Sequence, residues 1–309
     1  MARRYFKKLG ALAKTEAAYG VDAAPTGAAN AIQLSDVSVT PLEGDKVSRD
    51  LMLPYFGDQG FVLAATYAKA EFSIEMAGAG AAGTAPAYAA LLRACGLAEV
   101  VTAGVKVEYH PVSAAQEAAS LYFNMDGVNH VLLGARGTLT MSIVPKQIPK
   151  FRFTMTGLLG PIADTALPTV DLSKYQKPLV CSKTDTVFSL HGLAAVMESL
   201  NLDLGNTVVA RMLVNSESIE ITDRKVSGTT VIEAVALAVK DWFTIARTSI
   251  VGALSVTHGI AAGNIVEVVG QAVQIGTPTY GNTDGITNTS LPLTLCPVTG
   301  DDEIVIRIR

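Results

Sequence analysis

The sequence predicts a mainly β (α+β) fold, built as two tandem β-sandwich or barrel domains, each with one flanking α-helix. Three observations predict it. From residue 33 onward apolar and polar residues mostly alternate, which is the period of a half-buried strand. Helical spacing of apolar residues occurs once in each half. One order of elements is read twice: a strand, a long polar excursion, a strand, a helix, then several strands. At roughly 150 residues per domain, 309 residues make two domains, each large enough for a core of its own. The expected divisions are an N-terminal arm at 1–32, a first β domain at 33–157, a connection at 158–192 and a second β domain at 193–309.

In the first half, Val37, Val39 and Leu42 are read as one face, with Ser38 and Thr40 between them. Phe72, Ile74 and Met76 alternate with Glu71, Ser73 and Glu75, so a strand there buries one face and wets the other. Leu121–Phe123 and Val128–Leu133 flank Asp126-Gly127, a strong hairpin signal. Leu139, Met141 and Ile143, then Phe151, Phe153 and Met155, give two further strands. The helix is expected between an N-cap at Thr84 and a C′ glycine at Gly96, with Pro86 in its first turn and Tyr88, Leu91, Leu92 and Cys95 as its apolar stripe.

Residues 158–192 carry Pro161, Pro168 and Pro178 without a clear period and read as a connection. Strand patterns then resume at Leu200–Leu204, Ile219–Ile221, Leu254–His258, Ile265–Val269, Leu291–Leu295 and Ile304–Ile308, with a turn at Asp284-Gly285. A helix is expected over Leu237–Thr248, with Trp242, Ile245 and Ala246 inward. The halves share element order, not residue identity, which points to an old tandem duplication.

Composition narrows the function. Only 17% of residues are charged against 49% hydrophobic, which implies that much of the surface is covered, most simply by other copies of the chain. The formal net charge of -4 argues against a nucleic-acid binder, which needs a basic face. Arg3, Arg4, Lys7 and Lys8 are the one basic cluster and read as a solvated arm or as an arm for a neighbouring subunit. The apolar run that follows is too short for a secretory leader, and Glu233 and Lys240 limit the longest apolar run, so neither membrane insertion nor export is expected. Cys95, Cys181 and Cys296 are sparse and unpaired in spacing, and read as small apolar residues of a reducing compartment.

Chemistry-bearing motifs are few. Gly78-Ala79-Gly80-Ala81-Ala82-Gly83 matches GxGxxG, with Glu99 about twenty residues on, as in dinucleotide sites. Yet the strand before it alternates, and the expected helix starts after the third glycine, so a flexible, small-residue loop is the simpler reading. His110, His130, His191 and His258 lack metal spacing. Asn282, Asp284 and Asn288 only faintly resemble a calcium loop, and Asp301-Asp302-Glu303 reads as a solvated turn. There is no Gly-Lys pair and no GxSxG elbow, hence no expectation of an enzyme or a cofactor.

Several stretches then carry a resemblance. Ala13-Lys14-Thr15-Glu16-Ala17-Ala18-Tyr19-Gly20-Val21-Asp22 leads into Pro25–Ile32. Gly83–Tyr88 with Leu91–Gly96, Gly134-Ala135-Arg136-Gly137, Leu202–Asn206, Ile221–Lys225 and Lys240-Asp241-Trp242-Phe243 follow in order. Together they resemble the major tail tube proteins of siphophages, phages with long non-contractile tails. That resemblance implies two tail-tube-like domains in one chain. It implies rings, trimeric with pseudo-sixfold symmetry, stacked into a tube around a tape-measure protein. Tail terminator and distal tail proteins would sit at the ends, and double-stranded DNA would pass transiently through. It implies a virion tail location, with assembly in the bacterial host cytoplasm. A capsid decoration protein or a tail terminator is the structural alternative, and a dinucleotide-dependent oxidoreductase the enzymatic one.

Within that picture two residue sets are candidates. Glu71, Glu75, Asp203 and Glu220, on the polar faces of alternating strands, are expected to line the lumen, where a neutral-to-acidic wall would let DNA slide. Leu51, Leu53, Tyr55, Phe56 and Phe61, in an excursion too apolar for a free loop, are expected to contact the adjacent ring, as are Arg211, Met212 and Leu213.

Overall fold

Strands make almost the whole molecule, because alternation dominates the sequence from end to end. The computed structural model describes residues 3–309, leaving the first two residues of the N-terminal arm outside. The first half runs β1 (Leu9–Thr15), α1 (Gly27–Asn30), β2 (Ala31–Ile32), β3 (Ser35–Ser48), β4 (Phe61–Glu75), α2 (Ala89–Ala94), β5 (Leu97–Thr102), β6 (Lys106–Pro111), β7 (Ala119–Met125), β8 (Val128–Ile143) and β9 (Lys150–Asp164). The second runs β10 (Thr186–Leu190), β11 (Met197–Asp203), β12 (Asn206–Leu213), β13 (Ser216–Arg224), β14 (Ser227–Glu233), α3 (Trp242–Arg247), β15 (Val251–His258), β16 (Val266–Ile275), β17 (Thr279–Thr283), β18 (Ile286–Cys296) and β19 (Val305–Ile308). No helix of the described residues is long and apolar enough to cross a membrane.

The strand pairing repeats. All pairs are antiparallel, and in the first half the strands lie side by side as β1-β7-β8-β9-β4-β3. In the second they lie as β10-β15-β16-β18-β14-β11. These are the same positions in chain order, with α2 and α3 at the same step. The excursion between β3 and β4 corresponds to the β12–β13 hairpin between β11 and β14. β17 continues the line of β16 along the edge of β18, as the far end of β8 continues along β9.

Two seams join the halves. β11 pairs with the end of β8, setting Leu202 opposite Met141 and Leu200 opposite Ile143. β19 pairs with β6, setting Ile306 opposite Tyr109. The core is therefore continuous. Phe72 lies 5.9 Å from Phe123 and 5.7 Å from Phe153 in the first half, and the same cluster extends to Leu190, Leu202, Val256, Ile275 and Leu293 in the second. Strand β9 runs past residue 157 to Asp164, and β10 begins at Thr186, so the strand-free connection between the halves is confined to 165–185.

Several local expectations change. Helix α2 starts at Ala89, not beside Thr84, whose backbone is spent in a turn donating to Ala81; its apolar stripe is buried as expected. Helix α3 is shorter than Leu237–Thr248 because Asp241 caps it, accepting from the Thr244 amide at 2.9 Å, while Leu237 and Val239 stay exposed. Leu42 faces solvent, since Pro41 continues the inner row begun by Val37 and Val39. Asp301-Asp302-Glu303 is no simple solvated turn: Glu303 is buried and paired with Arg224. Cys296 is partly exposed, whereas Cys95 and Cys181 are buried. The turns at Asp126-Gly127 and Asp284-Gly285 form where expected, each aspartate adopting positive φ.

Candidate assembly interface

The seam between β8 and β11 makes one polar face out of both halves. Because register fixes which side chains share a row, cross-strand neighbours follow directly. One row reads Ser73, Arg152, Thr140, Asp203, Ser227, Thr294 across β4, β9, β8, β11, β14 and β18. The next reads Glu75, Lys150, Ser142, Asn201, Thr229, Pro292 over the same strands. Glu71, Thr154 and Thr138 begin a third.

Three of the four carboxylates expected at a lumen, Glu71, Glu75 and Asp203, thus lie on one face. The basic partners were not foreseen. Arg152 Nη2 donates to Glu71 at 2.7 Å, and Lys150 Nζ donates to Asp36 at 2.9 Å. That ammonium holds the Asp36 carboxyl below its usual value. The face is therefore hydroxyl-rich and net acidic, with four carboxylates against two cations, a surface without a strong hold on a polyanion. The signal for the pairing was in the sequence, since Lys150 and Arg152 alternate with Phe151 and Phe153, but only register shows which carboxylates they meet.

Glu220 lies elsewhere. It belongs to β13, where Arg136 Nη1 donates to its carboxylate at 2.5 Å and to the Ile219 carbonyl at 2.8 Å. The Arg136 guanidinium is nearly buried beneath the Tyr19 ring, 4.8 Å from its centroid. Burial raises the Tyr19 phenol above its usual value, keeping it protonated, and the Ile219 amide donates to its oxygen. Gly134 is required by the same packing: a Cβ there would come within 2.7 Å of the Tyr19 ring. This cluster pins the β12–β13 hairpin to the first half.

Both excursions carry exposed apolar residues. β3 and β4 form a long hairpin whose tip is residues 49–60. Leu51, Leu53, Tyr55, Phe56 and Phe61 are all exposed there, Phe56 fully, and they are joined by Val47, Met52, Val62 and Leu63. The last four extend the set read from the sequence: Met52 lies in the tip, and Val47, Val62 and Leu63 sit in strands whose period gave no hint that the hairpin leaves the core. At the tip of β12–β13, Leu213 and Val214 are exposed, and Arg211 and Met212 precede them in β12. Such a concentration of exposed apolar side chains is uncommon on the surface of a soluble monomer.

The Gly78–Gly83 loop is filled by protein. The Gly80 amide donates to the Gly263 carbonyl at 2.9 Å and the Gly78 amide to Asn264 Oδ1 at 2.7 Å; a Cβ on Gly78 would stand 2.1 Å from the Gly263 oxygen. Its small residues serve close backbone packing between the halves, so the loop is not the free one expected. Glu99, the would-be ribose ligand, lies within β5 and accepts from the Tyr109 hydroxyl at 2.7 Å.

Among family models, that of the phage tail tube protein family matches residues 8–305. The chain belongs to the phage tail tube protein family. A comparison with curated proteins finds no match. Membership makes the chain a structural component of the phage tail, and gives a physical context to a β-rich subunit with exposed apolar hairpins and open strand edges.

Proposed function

We propose that this tail tube protein polymerises into closed rings that stack into the tube of a long, non-contractile siphophage tail, a conduit for genomic DNA and not a catalyst. The observation that carries this reading is the repeated strand order, β1-β7-β8-β9-β4-β3 and β10-β15-β16-β18-β14-β11. One chain supplies two similar tube units, β1 to β9 and β10 to β19, each wider than the expected 33–157 and 193–309 because β1 and β10 join the sheet edges, so three chains supply six and close a pseudo-sixfold ring. A lateral contact that closes gives a ring, and an axial contact that does not close gives a filament.

In this reading the polar face with Glu71, Glu75 and Asp203 lines the bore. Its hydroxyls and excess of carboxylates give no field to hold DNA, which carries about one charge per 1.7 Å. Glu220 serves as a strut of the β12–β13 hairpin instead. The apolar tips at 49–60 and 211–214 make the ring-to-ring contact. The tape-measure protein would fill the bore during assembly in the host cytoplasm, with terminator and distal tail proteins at the ends. Electron microscopy of the purified protein tests this: hollow filaments of uniform width are expected. Isolated rings that never stack would favour a terminator, and an inert monomer would overturn the reading.

A further inference from the structure

A buried histidine fastens the segment that leads from the first half into the second. Thr186 of β10 stands opposite His258 of β15, and the row continues through Val266 of β16, Ile308 of β19 and Val107 of β6. Cross-strand neighbours share a face, so His258 sits in a row whose three aliphatic members are each at most 1% exposed. His258 is itself 3% exposed. The Thr186 hydroxyl lies 2.9 Å from its Nδ1. Its Nε2 is buried without a hydrogen-bond partner among the described residues, although the Leu179 carbonyl is close to the ring.

Few bonds hold the segment that ends at Thr186. The Lys146 amide donates to the Cys181 carbonyl at 3.0 Å, and the Cys181 amide donates to the Gln147 carbonyl at 2.9 Å. The Thr186 amide donates to the Ser182 carbonyl at 3.0 Å, and the Gly259 amide donates to the Asp185 carbonyl at 2.8 Å. The Thr186 hydroxyl reaches the Cys181 thiol as well as His258. Behind these bonds is a cavity of about 540 Å³, lined by Pro145, Cys181, Thr186, Phe188, Met197 and Glu233. A strand-free segment with a void beside it opens at lower cost than the sheet does.

The charges around the ring decide what a proton does there. Burial makes His258 less basic than usual, so it is neutral near pH 7. Asp185 is the charged group whose field favours the imidazolium, and its carboxylate is already engaged by the Ser182 and Thr184 hydroxyls. Cys181, on the same segment, is a thiol that burial keeps protonated. Lys183 is exposed. On β16, Glu267 is turned to the other face, where Arg307 and Arg309 pair with it. An imidazolium here meets aliphatic side chains and, at Nδ1, a hydroxyl that must turn its own proton away.

We propose that His258 is the pin of an acid-released latch: protonation of its ring detaches residues 179–186 from the end of β15 and opens the cavity beside Cys181. The neutral ring accepts the Thr186 hydroxyl and fits the apolar row. The charged ring is solvated only by reaching water, and the segment moves with it. The sign follows from linkage. The opened form takes up a proton near the ordinary histidine value of about 6.5 and the closed form only below it, so opening is suppressed above about pH 6.5 and grows as pH falls through it. The latch belongs to the single chain and does not depend on the tube reading.

Thiol labelling of the full-length protein tests it, in a Cys296→Ser background that leaves Cys181 and the core Cys95. Rates with a dipyridyl disulfide are divided by those of the unfolded chain at the same pH. Cys181 should then label at least tenfold faster at about pH 5 than at about pH 7.5. In His258→Leu, which keeps the row apolar, the acceleration should vanish. On the unmodified protein, amide exchange corrected for its intrinsic pH dependence should show residues 181–188 losing protection in acid while 151–155 keep theirs. The His258 ring resonances should titrate over the same range. Equal labelling at both pH values overturns the latch. So does acceleration that survives in His258→Leu, which assigns it to His191 or His130 instead. If that variant does not fold, the unmodified protein decides: a ring that titrates while 181–188 stay protected overturns the latch, and titration together with loss of protection supports it.

Discussion

Arg224 reaches from the end of β13 to pair with Glu303, just before β19, with both side chains about nine-tenths buried. Its Nη2 also donates to Asp301 at 2.7 Å, and Asp301 in turn accepts from the Ser113 hydroxyl. One guanidinium thus ties the β12–β13 hairpin, the C-terminal segment and the loop after β6 together. Removing one member of a buried pair leaves the other charge uncompensated. Arg224→Ala, which strands the buried Glu303 carboxylate, should therefore cost about 3–5 kcal/mol, measured by denaturant unfolding, while Asp301→Asn, at a partly exposed site, should cost about 1 kcal/mol or less.

The Arg136 cluster should behave in the same way but show more in the hairpin than in the core. Arg136→Ala removes the donor to Glu220, Ile219 and the Gln116 carbonyl, and should destabilise by about 3 kcal/mol. Glu220→Gln should cost less than about 1 kcal/mol because its carboxylate is partly in water. Amide exchange across 206–224 should rise in Arg136→Ala and change little in Glu220→Gln.

How much of this could be read beforehand depended on range. Alternation in Phe72–Met76 and Phe151–Met155 gives buried strands directly, because burial in a sheet is a local, period-two property. The Asp-Gly turns were equally legible, since left-handed backbone favours those residues. The polar face was only half legible: Glu71 and Glu75 announce a wet side, but Arg152 and Lys150 meet them through register between strands distant in sequence. Glu220 falls outside that face for a related reason. Its alternation with Ile219 and Ile221 is genuine, yet it belongs to an excursion folded onto Arg136, and nothing local separates an excursion strand from a sheet strand. The Gly78 loop shows a dinucleotide-like spacing without such a site because close backbone packing and phosphate binding both favour glycine.

Acid should loosen the C-terminal turn. Asp302 accepts from the Val298 and Thr299 amides and the Thr299 hydroxyl, which lower its carboxyl from 3.8 to about 2. A carboxyl depressed in the folded state stabilises fully above its unfolded value, and that contribution fades as pH falls from near 4 through about 2. Asp302→Asn should flatten stability across that window, and proton-resolved NMR of 297–303 should show the loss locally.

The hairpin tips should matter for stacking and not for folding. Deleting Leu53–Phe61, or replacing Met52 and Phe56 by Ser, removes side chains that are exposed in the single chain. The melting temperature should stay within about 2 °C, since surface changes away from structural contacts usually fall within about 0.5 kcal/mol. Filament length by electron microscopy should collapse. Normal filaments would show that the tips face solvent in the assembly.

Making the polar face basic should convert a slide into a trap. Ser142→Lys with Thr229→Lys adds charge to a row now balanced by Glu75 and Lys150. Assembled tubes of this variant should retain double-stranded DNA with affinity that falls steeply as salt rises, whereas unmodified tubes should not.

The central claim is that copies of this chain form a tube with the Glu71–Asp203 face inward. A cryo-EM map of assembled filaments tests it most directly. The expected map shows rings of paired, similar units, with Ser142, Asn201 and Thr229 lining a continuous bore and residues 49–60 between rings. A map placing that face on the outer wall, or one without a bore, would contradict it.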